Sequence, residues 1–321
     1  MHPGYKEAVE RYLAGLPLPA EPRRLYDPVR YVLRGGGKRL RPVLTLMTAG
    51  AYGVAPDEAL PAAAALEIFH NFTLLHDDIM DHAALRRGRP TVHRKWDENT
   101  AILSGDAMVY VAQQQLEHYP PALYKDLQSL FNRTALEICE GQQRDMDFEA
   151  RDTVSMDEYL EMIRQKTAVL LATAMQYGAL LAGRPVAEQE TWYRAGIALG
   201  LAFQIADDYL DTFGDESFGK AIGGDIREGK KTWLFVRMLD LLKDPARRQA
   251  FVERYNRPDK TTDDIRAIIR QMQAAGIPAL AREAVEFHTR AFLRHLQETG
   301  LDASRLKEFE ALAQKLRERN V

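Results

Sequence analysis

Two short acidic runs carry the strongest chemical signal in the sequence. Residues 72–81 read FTLLHDDIMD and residues 203–211 read FQIADDYLD, so each of two apolar stretches ends in an Asp-Asp-x-x-Asp cluster. In a helix, residues four apart share a face at about 6 Å along the axis. Asp77 therefore aligns with Asp81, and Asp207 with Asp211, while Asp78 and Asp208 turn roughly 100° away. Like charges at that spacing repel and weaken the helix unless a cation neutralises them. Carboxylates paired in this way suit Mg²⁺, which takes oxygen ligands, keeps several waters and binds one or two carboxylates together with substrate phosphates. A solvated helix end accounts for one such cluster taken alone. Two of them, each followed by a Gly-containing basic segment (RRGRP after the first, FGKAIGGDIREGKK after the second), point instead to Mg²⁺ ions shared with a diphosphate.

The cations lie close by in sequence. The run GGGKRLRP at 35–42 exposes backbone N–H groups at three glycines and places Lys38 and Arg41 one turn apart if a helix begins there, an arrangement that binds phosphate. It is not a nucleotide P-loop, because no Ser or Thr follows the lysine. His70 lies seven residues before Asp77 on the same helical stripe, where it can donate to a phosphate or simply pack as a core residue. Glu67-x-x-His70 spells half of a di-iron carboxylate signature, but the second Glu-x-x-His is absent from the chain. Arg86 and Arg87 follow the first cluster, and Gln204 precedes Asp208 by one turn. Lys166 and Thr167 open an apolar helix in this reading, and Lys220 and Lys230 lie in the loop after the second cluster. Any of these alone reads as a surface cation or a cap. Their concentration beside both acidic clusters argues for a site.

The elements that must hold these groups are helical. Apolar residues recur at helical spacing almost throughout, strand-like alternation is scarce, and good helix formers dominate. Gly and Pro punctuate the chain at 17–22, 35–37, 53–56, 87–90, 120–121, 183–185, 214–229 and 257–258, and none of these breaks resembles an interdomain linker. The expected fold is therefore all-α, with one domain over 1–321. With 43 basic and 46 acidic side chains and a net charge of -3, a global nucleic-acid binder is not expected, and any anion site must be local. The single cysteine, Cys139, excludes an internal disulfide and fits a reducing compartment. The N-terminal segment lacks the apolar core of a signal peptide, and the most apolar stretch, about 167–183, is broken by polar residues and shorter than the ~20 residues of a membrane span. A cytoplasmic protein without a membrane anchor is the expectation.

Together, HDDIMDHAALRRGRPTVH, GGGKRLRP, FQIADDYLD and GKAIGGDIREGKKT resemble the trans-isoprenyl diphosphate synthases, the polyprenyl synthetase family, in order and spacing from about Gly35 to Thr232. The resemblance implies an isoprenoid-synthase-type antiparallel helical bundle around a central cavity, usually a homodimer, that joins isopentenyl diphosphate to an allylic diphosphate. It implies three Mg²⁺ ions (Mn²⁺ being a possible substitute), held by Asp77, Asp81 and Asp207 with Asp208 and Asp211 in support, and Asp145 as a further acid near the metals. Arg86, Lys166, Gln204, Lys220 and Lys230 would hold the allylic diphosphate, and Lys38, Arg41, His70 and Arg87 isopentenyl diphosphate. Thr167 and the Lys166 carbonyl would face the developing cation.

In that family the residues four and five before the first Asp help to form the floor of the product cavity, here Thr73 and Phe72. One ring beside a small residue, with no insertion in DDIMD, resembles synthases that make geranylgeranyl diphosphate; a farnesyl product is the runner-up, and Phe72 as plain core packing is the bland reading. A terpene cyclase would carry a different second motif and no GGGKRLRP segment, and a non-catalytic partner subunit would be expected to lose an acidic cluster.

Overall fold

The computed structural model describes residues 3–214 and 223–318; Lys220 lies outside them. Helices run in chain order as α1 (Pro3–Ala14), α2 (Arg23–Leu33), α3 (Leu40–Ala51), α4 (Pro56–Met80), α5 (Val92–Lys95), α6 (Glu98–Leu116), α7 (Pro121–Glu149), α8 (Met156–Ile163), α9 (Val169–Leu181), α10 (Val186–Phe213), α11 (Gly224–Glu228), α12 (Trp233–Leu241), α13 (Pro245–Asn256), α14 (Thr262–Ala274), α15 (Ile277–Glu298) and α16 (Ala303–Glu318). The all-α expectation holds. Among the described residues the one departure is a hairpin, β1 (Leu85–Arg86) with β2 (Arg89–Pro90), in which Arg86 pairs with Arg89. Arg87 and Gly88 form its turn with φ of 53° and 72°; positive φ at both central residues is what a two-residue turn needs to match strand twist. No alternation announced this hairpin, because two residues a side are too few to show a period.

The chain forms two compact units. One takes the described residues up to Arg133, Thr173–Trp192 and Leu301–Glu308; the other takes the rest. In the first unit α4 packs most extensively against α6, then α3. Pro56 fills the first helical position of α4, Asp57 and Glu58 sit in its positive first turn, and Ala59 and Ala62–Ala65 are buried, so small side chains let its neighbours approach. α4 ends at Asp81: His82 adopts φ 49°, Ala83 N–H bonds Asp78 C=O at 3.0 Å and His82 N–H bonds Ile79 C=O at 3.1 Å, a Schellman closure with histidine where glycine is usual. α3 begins one residue later than Arg39, which caps it in the left-handed region at φ 50°. Lys38 is therefore outside the helix, and the expected helix start at Lys38 does not occur.

In the second unit, helical backbone is continuous from Met156 through a π turn at Arg164–Ala168 into α9. Ser155 and Glu158 make a reciprocal capping box that fixes the start of α8. Lys166 and Thr167 thus lie inside a rod and do not open a helix, contrary to the sequence-based expectation. The second unit also pairs α12 with α8 and α15, and α14 with α15. α14 starts on a second capping box, Thr261 with Asp264.

Close helix contact in the first unit is visible at Gly178 in α9. A Cβ there would meet Thr48 Cβ at 2.5 Å and the Ala49 nitrogen at 2.7 Å, both in α3. Gly178→Ala is expected to destabilise the protein by about 1–3 kcal/mol through overpacking, read as a lower urea midpoint at unchanged slope. An unchanged midpoint would mean that the contact relaxes without strain.

Candidate active site

Both acidic clusters lie where helices end. The C-terminal end of a helix carries partial negative charge from its free carbonyls, so carboxylates there are disfavoured without a counter-cation. Within each cluster the middle acid is the buried one: Asp78 is 5% exposed and Asp208 3%, whereas Asp81 and Asp207 are exposed. This is the division that the helical period predicts.

Asp78 accepts a hydrogen bond from Arg86 Nε at 2.6 Å, so the hairpin is tied to the end of α4 through the cluster itself. Burial pushes the Asp78 carboxyl up from its ordinary value and the Arg86 charge pulls it back. Asp208 is more fully engaged. Its Oδ2 accepts from Tyr159 OH at 2.6 Å and from the Trp233 backbone N–H at 2.9 Å, and its Oδ1 accepts from Gln204 Nε2 at 2.9 Å. Burial pushes this carboxyl up to about 6 against the pull of those three donors. Both oxygens of Asp208 are thus engaged within the protein, and Gln204 is oriented by it. Gln204 Oε1 in turn accepts from Thr167 Oγ1 at 2.9 Å.

Asp211 accepts the Asp225 N–H on Oδ2 at 2.9 Å, and its backbone carbonyl accepts the Gly223 N–H at 2.7 Å. These bonds fold α11 back onto the end of α10. Asp225 is held well above its ordinary range by burial and then by the charges of Asp211, Asp208 and Asp207. This fourth carboxylate escaped sequence reasoning, although GGDIREGK does place an acid among the glycines. Lys230 lies 3.1 Å from Glu228, and its carbonyl accepts from Tyr255 OH at 2.7 Å. Lys166 Nζ donates to Asp145 Oδ2 at 2.5 Å. The π turn carrying Lys166 fits against α7 only because residue 141 is glycine: a Cβ there would be 2.4 Å from the Lys166 nitrogen.

The basic residues expected to hold a phosphate converge in the first unit. Arg41 Nη1 donates to His70 Nε2 at 3.0 Å, which leaves the ring proton on Nδ1. Burial, then the guanidinium groups of Arg41, Arg87, Arg86 and Arg39, hold the His70 imidazole neutral, well below its ordinary value. Burial brings Arg41 down to about 10. Arg87 donates to the Gly36 carbonyl, and its guanidinium lies where a Cβ on Gly37 would fall, 2.9 Å from Cζ. Glycine is thus required there for a contact, beyond its φ of 139°. Arg86, Arg87 and Gly35, with Asn71 and Asp78, line a small recess of about 50 Å³. Lys38 is exposed just ahead of α3.

Phe72 packs against Phe69 at 5.4 Å and His76 at 4.6 Å between ring centroids, and Phe69 packs on Phe131 at 5.1 Å. Thr73 Oγ1 bonds back to the His70 carbonyl at 2.8 Å.

The acids of both clusters offer oxygen donors, which fits Mg²⁺. Among the described residues no three acidic, His or Cys side chains converge closely enough to form an all-protein metal cage.

A model of the polyprenyl synthetase family matches residues 22–272. The chain is 40% identical over 259 residues to a geranylgeranyl diphosphate synthase of Methanosarcina mazei, covering 79% of this chain and 78% of that one. It is 38% identical over 282 residues to a geranylfarnesyl diphosphate synthase of Natronomonas pharaonis, covering 82% and 81%. A crystal structure of a geranylgeranyl pyrophosphate synthase superposes with a TM-score of 0.91 at 44% identity, covering 98% of this chain and 97% of that one.

The hydrogen bond from Tyr159 was invisible in the sequence and tests whether Asp208 is a buried strut. Tyr159→Phe is expected to cost about 1–3 kcal/mol of stability by removing one of its donors, measured by urea unfolding. No change would mean that the remaining two donors suffice.

Proposed function

The chain belongs to the polyprenyl synthetase family, and on that premise we propose that it condenses isopentenyl diphosphate with allylic diphosphates to make geranylgeranyl diphosphate. The observation that carries this reading is the grouping of Arg41, His70 and Arg87 at the glycine run, a second anion site that a lone ionising cyclase does not need.

Asp77, Asp81 and Asp207 would hold three Mg²⁺ ions, with Asp208 and Asp211 keeping the helix end and its loop in place. When bound, Mg²⁺ would supply positive charge against the leaving diphosphate and so favour breaking of the allylic C–O bond. Arg86, Lys166, Gln204 and Lys230 would bind and orient that diphosphate, with Lys220 and Asp145 as further members of the set. Lys38, Arg41, His70 and Arg87 would hold the isopentenyl diphosphate so that its double bond meets the allylic cation. The allylic C–O bond breaks first, the isopentenyl double bond then attacks the resulting cation to form the new C–C bond, and a proton leaves to the released diphosphate. Thr167 and the Lys166 carbonyl supply oxygen atoms toward the developing cation, helped by a π turn that breaks the regular hydrogen-bond ladder. Phe72 and Thr73 would limit the chain, with Phe69 and Phe131 behind Phe72.

The reading extends to one synthetase domain over 1–321, to a homodimer and to the cytoplasm. The family match runs through stretches of both compact units. Ile102, Leu103 and Tyr110 on α6 expose apolar surface suited to a second copy. No described helix is long and apolar enough to cross a membrane.

Purified protein with Mg²⁺, labelled isopentenyl diphosphate and dimethylallyl, geranyl or farnesyl diphosphate in turn is expected to yield geranylgeraniol after dephosphorylation. Farnesol as end product would overturn the product assignment, and absence of elongation with every primer would overturn the reaction. Asp77→Asn is expected to lower turnover by about 10²–10³-fold in the same assay. Phe72→Ala is expected to shift product toward longer chains, only in part because Phe69 remains; an unchanged product distribution would remove Phe72 from the floor.

A further inference from the structure

Arg39 sits in the middle of the glycine-basic run, yet its side chain is committed inside the protein. Its side chain is fully enclosed and four contacts hold it: Nε to Glu10 Oε1 at 2.8 Å, Nη2 to Glu10 Oε2 at 3.3 Å, Nη1 to Glu67 Oε1 at 2.6 Å and Nη2 to the Leu33 carbonyl at 2.6 Å. Glu67 is 2% exposed. Its Oε1 also accepts from Asn71 Nδ2 at 3.0 Å, while its Oε2 is buried with no hydrogen-bond partner. The Glu67-x-x-His70 spacing, which looked like half of a metal signature, has a different use. Arg39 meets Glu67 and Arg41 meets His70. Two arginines at i and i+2 on one chain thus contact residues one turn apart on α4, and the start of α3 is keyed to α4 at two adjacent points.

We propose that Arg39 and Glu67 are positioning residues for isopentenyl diphosphate, a buried ion pair that fixes the register in which Arg41 and His70 meet the substrate phosphates. This rests on the function proposed above. Arg39 has φ 50°, a conformation that costs a non-glycine residue about 1–2 kcal/mol unless its surroundings impose it. The forked pairing with two carboxylates and a carbonyl imposes it here, and the left-handed residue is what turns the chain between the glycine run and α3. The buried carboxylate also lies near the cations it organises, opposing the mutual repulsion of Arg41 and Arg87 when no phosphate is bound. Arg41 has a matching deficit, its buried Nε being without a partner.

Arg39→Lys tests the pairing, because it keeps the charge and removes the planar fork. It is expected to raise KM for isopentenyl diphosphate by about tenfold, with KM for geranyl diphosphate changed less than about twofold. Glu10→Gln, at the half-exposed end of the same arginine, gives a second reading should Arg39→Lys fold poorly; about a threefold rise in the same KM alone is expected. Thermal unfolding of each variant is measured alongside. Unchanged KM for isopentenyl diphosphate in the folded variants overturns the inference. So does a parallel loss in both substrates that tracks unfolding temperature, since that marks a structural role only. Wild-type protein that elongates no primer overturns the underlying reading and this inference with it.

Discussion

The constraint on which the rest depends is negative charge gathered where helices already end negatively. Asp77, Asp78 and Asp81 close α4, and Asp207, Asp208 and Asp211 close α10. Free carbonyls, burial and like-charge neighbours all disfavour ionised carboxylates there. Each unit answers by committing its middle acid to internal bonding. Asp78 ties down Arg86, and Asp208 collects Tyr159, Gln204 and the Trp233 N–H. Buried and internally bonded, these two acids turn unfavourable charge into a fixed framework. In the function proposed above, the outer acids would meet a cation that arrives with its own waters and phosphate.

The basic residues show the same logic with the sign reversed. Arg41 and Arg87 approach each other around a neutral His70, and the acid closest to them in function, Glu67, is sealed behind Arg39. A carboxylate exposed among the phosphate ligands would compete with the substrate. One buried and paired keeps the cations in place without doing so. Glycine serves this packing twice, at Gly37 where Arg87 lies across the chain and at Gly141 where the π turn meets α7.

How much of this was legible follows from the range of each interaction. The acidic clusters, the glycine-basic run and the all-α architecture are local patterns of period and spacing, and the sequence displayed them. That Asp78 and Asp208 face another way from the outer acids also followed from helical geometry, whereas that this way is inward did not. Tyr159 was not legible, because it meets Asp208 across 49 positions. Glu67 was visible as a motif but misdirecting, since its partner Arg39 lies 28 positions away. Asp225 was hidden in a segment that reads as basic. Lys166 and Thr167 were placed at a helix start because a π turn preserves the apolar pattern on both sides while changing the phase. Lys38 was placed in a helix because nothing in Lys-Arg-Leu-Arg signals that the arginine will adopt positive φ.

α4 draws these threads together. Glu67, His70, Phe72 with Thr73, Asp77 and Asp81 lie on one rod, within about 21 Å of axial rise. One helix thus carries the residues proposed as strut and ligand of the isopentenyl site, the proposed aromatic stop and the first acidic cluster. Their separations are set by helical rise and not by loops, so the distance from the phosphate ligands to the apolar stop is as rigid as the helix. The glycine run and the hairpin are keyed to that rod by single polar contacts, Arg39 to Glu67, Arg41 to His70 and Arg86 to Asp78. Because each contact is a charge-assisted hydrogen bond to a helical residue, a slip of one turn would break all three together. Register along α4 is therefore the quantity that the surrounding loops are built to preserve.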